Sequence, residues 1–255
     1  MIQKEKALLF KDLHVKGDPL ILYNIWDAGS ANAVLEAGAK ALATGSWSVA
    51  AAWGYSDGEN IPLDVLTQVT ARIVECVDIP VTIDFEAGYD SLPEKTAQNV
   101  SSIIGAGAVG INFEDQIVGT GDIYEIEDQC ERISAIRNKA DELGIQFFIN
   151  ARTDYFLKAS DANEHQSLMG KVIDRAKAYS DAGASGFFVP GLMDENLISE
   201  ICELSSLPVN IMMKPGVPSV DKLKQLGVAR ISHGPFPYLS LMDILKERAV
   251  SEFKS

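Results

Sequence analysis

The sequence predicts a (β/α)₈ barrel, and three observations predict it. The first is an internal repeat: Glu36-Ala37-Gly38-Ala39, Gly105-Ala106-Gly107-Ala108 and Asp181-Ala182-Gly183-Ala184 are near copies, with Leu226-Gly227-Val228-Ala229 a looser fourth. Each copy closes a helical pattern and opens an apolar run, with glycine where a left-handed helix cap belongs. The second is that eight short apolar runs alternate with helical patterns along the chain. The third is that these runs are apolar on both faces, as strands of a parallel sheet buried between helices must be. A doubly wound open sheet is the competing arrangement. No glycine-rich dinucleotide fingerprint follows the first strand, which counts against it. No linker or shift in composition divides the 255 residues, so 1–255 reads as a single barrel domain.

Taken in order, a helix is expected from Glu5 to about Leu13, closed by Gly17-Asp18-Pro19. The strands are expected at 20–23, 40–44, 81–83, 109–113, 145–149, 185–189, 209–213 and 229–232. Pro80, Pro208 and Gly144 mark three of their starts. Helical patterns lie between them at 30–37, 63–76, 94–104, 127–143, 167–182, 196–204 and 220–226, and 239–253 reads as a C-terminal helix. The longest stretches without periodicity, 46–61 and 115–128, follow strands and would form loops of the catalytic face.

Composition narrows the function classes. The chain is 47% hydrophobic and 23% charged, an ordinary globular balance, with a net charge of −14. A chain this acidic is a poor match for nucleic acid or an anionic membrane. It shows neither a signal-peptide run nor an apolar stretch of the ~18 residues that a spanning helix needs. Cys76, Cys130 and Cys202 are far apart and form no CxxC pair, so neither a disulfide framework nor a zinc site is expected. A reduced, cytoplasmic setting fits these features.

The stretch Val81-Thr82-Ile83-Asp84-Phe85-Glu86 carries the first chemical signal. It begins as a buried strand, yet places Asp84 and Glu86 two residues apart, on one face. Two adjacent carboxylates in low dielectric repel, and a divalent cation relieves both the repulsion and the desolvation. If the strand ends earlier, both are simply solvated. Active sites of such barrels lie at the C-terminal strand ends. Those ends offer Asn24 and Asp27; Thr44-Gly45-Ser46-Trp47; Asp84 and Glu86; Glu114-Asp115; Asn150, Arg152 and Asp154; Asn210 and Lys214; and Ser232-His233. The sixth strand ends only in Pro190-Gly191. Hard oxygen donors with few histidines favour Mg²⁺ (or Mn²⁺) over Zn²⁺. Arg152 offers a planar fork for a carboxylate or phosphate, or else forms a salt bridge with Asp154 or Glu114. The amides of Gly45, Ser46 and Trp47 could cradle an anion; the Trp47 ring also fits a core or lid position. His233 is a general acid/base candidate, or a hydrogen-bonded histidine under the loop that follows it. His14 and His165 fall in polar surroundings and are expected at the surface. Cys130, in the first turn of a helix, reads as a structural thiol or a mildly activated one.

Several segments together resemble the phosphoenolpyruvate mutase/isocitrate lyase superfamily, especially its short members. They are Asn24-Ile25-Trp26-Asp27-Ala28-Gly29-Ser30-Ala31, Ala43-Thr44-Gly45-Ser46, Gly54-Tyr55-Ser56-Asp57-Gly58-Glu59, Asp84-Phe85-Glu86-Ala87-Gly88-Tyr89, Glu114-Asp115, Asn150-Ala151-Arg152-Thr153-Asp154 and Val228-Ala229-Arg230-Ile231-Ser232. The resemblance implies a barrel whose last helix is exchanged between subunits of a homodimer or homotetramer. It implies Mg²⁺ and a small 2-oxo acid. By motif position, Asp84 would be the direct metal ligand, with Asp57, Glu86 and Glu114 acting through metal-bound water. Arg152 would hold the distal anion of the substrate, Gly45, Ser46 and Trp47 its carboxylate, and Asn210 would contact it.

The sequence departs from the superfamily pattern at three places. Glu86 stands where the best-known members have aspartate. The stretch Gln116-Ile117-Val118-Gly119-Thr120-Gly121-Asp122 lacks the lysine–cysteine–glycine–histidine signature of the lyases and the lysine-bearing gate of the phosphonomutases. Val189-Pro190-Gly191 lacks the glutamate that the lyases carry at the end of strand six. These departures turn the expectation away from isocitrate or 2-methylisocitrate cleavage. They favour a lyase or oxaloacetate-type decarboxylase that breaks a C–C bond beside a metal-stabilised enolate. A phosphonopyruvate-type P–C mutase or hydrolase, and a non-catalytic metal-dependent 2-oxo acid binding protein, are the alternatives.

Overall fold

Eight parallel strands form where the apolar runs stand in the computed structural model, which describes residues 1–254. They are β1 (Leu20–Leu22), β2 (Leu42–Ala43), β3 (Val81–Asp84), β4 (Gly110–Glu114), β5 (Phe148–Arg152), β6 (Gly186–Phe188), β7 (Val209–Met212) and β8 (Arg230–Ser232). The hydrogen-bonded order is β1-β8-β7-β6-β5-β4-β3-β2. The seam between β1 and β2 is closed by a parallel bridge between Ile25 and Thr44. Asn24 reinforces it: its amide donates to the Thr44 carbonyl (2.8 Å), and its oxygen accepts from the amides of His233 (2.8 Å) and Gly234 (2.9 Å).

The helices are α1 (Gln3–Asp12), α2 (Ala28–Glu36), α3 (Ser46–Ala52), α4 (Leu63–Cys76), α5 (Pro93–Gly105), α6 (Ile126–Glu142), α7 (Tyr155–Lys158), α8 (His165–Asp181), α9 (Glu195–Leu204), α10 (Val220–Gln225) and α11 (Phe236–Phe253). Three differ from expectation, one of them α7, a short helix after β5 where none is expected. The first part of the supposed loop 46–61 is α3. The last helix begins at Phe236 instead of residue 239, because prolines suit a first helical turn and Pro235 and Pro237 stand there. No helix among the described residues is long and apolar enough to cross a membrane.

Side chains alternate strictly between the barrel axis and the helices. Ile83, Ile111, Ile149, Phe187, Ile211 and Ile231 face the helices and are fully buried. The axis is more polar. Asn150 donates to Asn112 (2.9 Å) and to Asn210 (3.0 Å), and Arg230 donates to Asn112 (2.9 Å). Beneath this layer Phe148 fills the axis, and small neighbours make room for it. A Cβ at Gly110 would lie 2.7 Å from the Phe148 carbonyl, and one at Gly186 would lie 2.8 Å from its ring.

The N-terminal end of the barrel is plugged from α1. Phe10 is fully buried, and His14 stacks on Phe148 at 4.0 Å while meeting Phe10 edge-on at 4.8 Å. His14 is therefore part of the plug, contrary to the surface position expected for it. Its Nδ1 is 2.7 Å from the Phe10 carbonyl. That helical i−4 contact, from a residue just past the helix end, turns the ring inward. His165, also expected at the surface, is buried, 4% exposed against Phe156.

The last helix behaves differently from the rest. Its first turn touches the body through Tyr238, which meets Trp26 and Trp47 edge-on. Farther along, apolar residues stay exposed, Leu245 at 61% and Phe253 at 87%. Meanwhile Ile21, on the helix-facing side of β1, is 43% exposed beside a groove of about 590 Å³ that Val15, Tyr23 and Val34 also line.

Burial, and then the nearby Arg230 charge, lower the His14 pKa from 6.5 to about 3. The unfolded chain binds this proton below 6.5 and the folded chain does not, so His14 removes stability as pH falls through that window. The melting temperature of wild type should therefore fall about 2–5 °C further than that of His14→Gln between about pH 7 and pH 5, as read by calorimetry. Equal slopes would refute the assignment.

Candidate active site

Strand parity decides which residues reach the mouth. Asp84 is paired in register with Asn112, Glu114 with Arg152, and Arg152 with Phe188, so these side chains share the inner face. The structure thus brings Asp84, Glu114 and Arg152 together at the C-terminal strand ends.

Asp84 is fixed from two sides. Its Oδ2 accepts from the Ser46 amide at the start of α3 (2.9 Å), and its Oδ1 lies 3.4 Å from Asn112 Nδ2. Its own amide donates to Thr44 Oγ1 (2.9 Å). Ser46 also connects this carboxylate to Asp57, on the loop that follows α3. Partial loss of hydration and the charge of Asp84 raise the Asp57 pKa, and a hydrogen bond with the Ser46 side chain offsets part of the rise.

Glu86 lies just past the end of β3 in a left-handed backbone conformation, with φ 49°. Its Oε2 accepts from the amides of Gly58 (2.8 Å) and Glu59 (2.9 Å). Glu59 reciprocates by accepting from the Tyr89 amide (2.7 Å). The loop carrying Asp57 is therefore clasped to the turn after β3 by two glutamates. Glu59 (φ 59°) and Tyr89 (φ 61°) share the left-handed conformation, so the clasp holds three non-glycine residues under strain. Burial first, then Asp57 and Asp84, push the Glu86 pKa up to about 8.

Arg152 is the cation of the mouth. It forms a bidentate pair with Asp154 (Nε 2.6 Å, Nη2 2.9 Å) and reaches Glu114 through Nη1 (2.8 Å). Both readings of this residue from the sequence bear on it. It is salt-bridged, and three of its five N–H donors are committed, which leaves two for an anion. Burial works against its charge, but Glu114 and Asp154 more than offset this and raise its pKa. Glu114 is almost fully buried; desolvation lifts its pKa well above the ordinary carboxylate range, and Arg152 only partly opposes that. Asp115 points the other way, toward α8. It accepts from Tyr179 (2.9 Å) and from the Asp154 amide (3.1 Å) and pairs with Arg175 (3.3 Å), which fixes the segment that presents Arg152.

Other candidates fall elsewhere. The Gly45 amide donates to Ile25 (3.2 Å) and the Ser46 amide to Asp84, so two of the three amides proposed as an anion cradle are engaged. The Trp47 ring faces Tyr238. Asn210 lies one layer below the mouth, fully buried, with its oxygen held by Asn150 and its amide near Ser232 (3.2 Å). His233 follows the inward Ser232 and so points outward. Its Nδ1 is 3.2 Å from the Leu22 carbonyl, its ring is 5.0 Å from Tyr23, and burial lowers its pKa. The structure does not bring His233 to the carboxylates. Burial also raises the Cys130 pKa, against an activated thiol. From the sequence Asn112 goes unnamed and Glu59 is given no role, whereas Thr44 and Asp154 stand at the strand ends expected for them. Asn112 was accessible in principle, since it stands two residues before Glu114 on the same strand face.

Among the described residues no three His, Cys, Asp or Glu side chains converge on a single coordination point. The carboxylates nonetheless fit a hard divalent cation. Buried acids with raised proton affinity, crowded around Asp84, are where positive charge is favoured. Mg²⁺ keeps several of its own waters and takes only one or two carboxylates directly.

Comparison with known proteins gives a consistent picture. Residues 10–253 match the family model described as phosphoenolpyruvate phosphomutase. An uncharacterized protein of Mycobacterium tuberculosis is 34% identical over 231 residues, 90% of this chain and 83% of that protein. The 2-methylisocitrate lyase of Escherichia coli is 29% identical over 235 residues, 86% of this chain and 75% of that enzyme. A crystal structure of a candidate phosphonomutase from Burkholderia cenocepacia J2315 superposes with a TM-score of 0.95 at 46% identity, covering 99% of this chain and 100% of that one. The chain belongs to the phosphoenolpyruvate phosphomutase family, within the phosphoenolpyruvate mutase/isocitrate lyase superfamily.

Proposed function

We propose that the protein is a Mg²⁺-dependent lyase or decarboxylase that breaks a C–C bond in a small 2-oxo acid. The observation that carries this is the convergence of Asp57, Asp84, Glu86 and Glu114 beside Arg152. Asp84 would be the direct ligand, with Asp57, Glu86 and Glu114 acting through water. Mn²⁺ would serve in its place. Bound there, the metal would supply Lewis-acid stabilisation of the negative charge that develops on the 2-oxo oxygen.

The chain's own residues do the rest. Arg152 holds an anionic group of the substrate with its two remaining donors, kept in plane by Asp154. The Trp47 amide, next in the chain to the Ser46 amide that holds Asp84, would orient the substrate carboxylate. The clasp of Glu86 on the loop at Gly58 and Glu59 keeps Asp57 over the site and limits the entry of bulk water. Relatives named as 2-methylisocitrate lyase and as oxaloacetate decarboxylase support carbon–carbon chemistry. The 46% identical candidate phosphonomutase favours a second reading, P–C chemistry on a phosphonopyruvate-like acid.

Assembly belongs to the same proposal. The exposed apolar side of α11 and the open groove beside β1 complement each other, so α11 of one copy would cover β1 of another in a homodimer or homotetramer.

Purified protein with Mg²⁺ and oxaloacetate-type acids should release CO₂ or a cleaved product, while phosphorus NMR with phosphonopyruvate reports the second reading. Tight Mg²⁺-dependent binding without turnover would instead mark a binding protein. Asp84→Ala should lower turnover by at least about 10²-fold with the melting temperature unchanged or higher, because a repelling carboxylate is gone. Undiminished activity would sink the metal assignment. Glu86→Asp shortens the clasp and should speed hydrogen exchange across 55–60 while leaving the strands protected. Leu245→Glu should shift the oligomer to monomer in light scattering; a wild type that is already monomeric would refute the exchange.

A further inference from the structure

Arg230 is a fully buried cation that has no carboxylate partner among the described residues. It lies inside the barrel with no exposed surface, one layer below Asp84, and its guanidinium is 5.9 Å from the Phe10 ring. Among the described residues no acid is in ion-pair contact with it, and its Nε and Nη1 have no hydrogen-bond partner. Burial lowers its pKa to about 9, with Asp84 the charge that opposes the fall. A cation in this position is destabilising, and an apolar side chain of the same volume would fill the barrel better.

Its side-chain hydrogen bond to Asn112 shows what it can do. Nη2 donates to Asn112 Oδ1 (2.9 Å), and Asn150 Nδ2 donates to the same oxygen (2.9 Å). Asn150 is held in turn, because its amide also donates to Asn210 Oδ1 (3.0 Å). Two donors on one oxygen leave the Asn112 amide a single orientation. Flipped, its NH₂ group would face a guanidinium and another NH₂ group, with no acceptor between them. Nδ2 must therefore face Asp84, 3.4 Å from Oδ1, while the Ser46 amide takes Oδ2.

We propose that Arg230 is a positioning residue for Asp84: it locks the Asn112 amide and, through it, sets the direction in which the carboxylate presents its free lone pairs to a divalent cation. This rests on the reading of Asp84 as a metal ligand. Arg230 touches neither the cation nor the substrate. Partners of this kind behind a metal ligand change metal affinity by about 10–100-fold when removed.

Mn²⁺ binding to the full-length protein, measured by electron paramagnetic resonance of the free ion, tests the proposal without any substrate. Arg230→Met removes charge and hydrogen bond at similar volume; Arg230→Lys keeps the charge and loses the reach to Asn112. Both should weaken Mn²⁺ binding by about 10–100-fold, with the melting temperature retained in the Lys variant and retained or raised in the Met variant. Asn112→Ser should weaken it comparably, and the double variant Arg230→Met/Asn112→Ser should be no worse than either single one. If Arg230→Met does not fold, Asn112→Ser, which leaves Arg230 in place, carries the same expectation. A Lys variant that binds like wild type, or a Met variant that binds more tightly, would overturn the proposal, because either result assigns to Arg230 only a through-space charge that repels the cation. Wild type that binds no Mn²⁺ overturns the metal reading of the mouth, and the positioning role with it.

Discussion

The alternation of side chains along eight parallel strands is the constraint on which this molecule depends. In a closed barrel every second residue of every strand is driven toward one axis, whatever its chemistry. The inner set here is Asn112, Asn150, Asn210 and Arg230 in one layer, with Asp84, Glu114 and Arg152 in the layer above. Neither layer could be built from isolated polar residues, because each buried group needs a partner. Asn150 meets part of this need by donating to both Asn112 and Asn210, while its own Oδ1 and the Nε and Nη1 of Arg230 stay without partners. The lower end is closed by Phe10, His14 and Phe148, so the polar column opens only toward the mouth.

Charge in the mouth is unbalanced on purpose of geometry rather than by accident of sequence. Arg152 answers two of the carboxylates, Glu114 and Asp154, and its planar guanidinium is thereby fixed in orientation. Asp57, Asp84 and Glu86 are left with backbone amides, a hydroxyl and one another. Amides orient a carboxylate but do not neutralise it. Burial first, and then repulsion from neighbouring carboxylates, raises the proton affinities of Asp57, Glu86 and Glu114, and a proton or a divalent cation would relieve that repulsion. Asp115 shows the contrast. Facing the helices, it has Arg175 and Tyr179 to itself, and its role is to brace the chain that carries Arg152.

Much of this was legible in the chain. The Gly-Ala repeats mark four strand starts because a helix end needs a left-handed residue and the strand that follows needs burial, two demands that short motifs can carry. Asp84, Glu114 and Arg152 were legible because a carboxylate or guanidinium at the end of an apolar run has little reason to be there unless the run points it at a site. His233 and Asn210 show where such reasoning stops. Each stands near a strand end, but His233 has outward parity and Asn210 lies two residues too deep, and a shift of one or two residues in the strand boundary decides both. Helix α3 was missed because seven residues after a glycine carry too little periodicity to separate a helix from a loop. Its first amide is nonetheless what fixes Asp84.

Glu86 brings these threads together. Read from the strand alone, it is a second carboxylate beside Asp84, one methylene longer than its counterpart in the family pattern. The structure gives that methylene a reason. With φ at 49° the backbone has already left the strand, and the longer side chain crosses to the amides of Gly58 and Glu59. The carboxylate that feels the charges of Asp57 and Asp84 most directly is thus also the one that holds the Asp57 loop in place. If the mouth takes a cation as proposed, its occupancy would bear on the loop through this one group: positive charge near Glu86 would keep it ionised, and an ionised Glu86 accepts both amides more strongly than a protonated one. A shorter aspartate could serve a cation through water, but it could not also reach the loop.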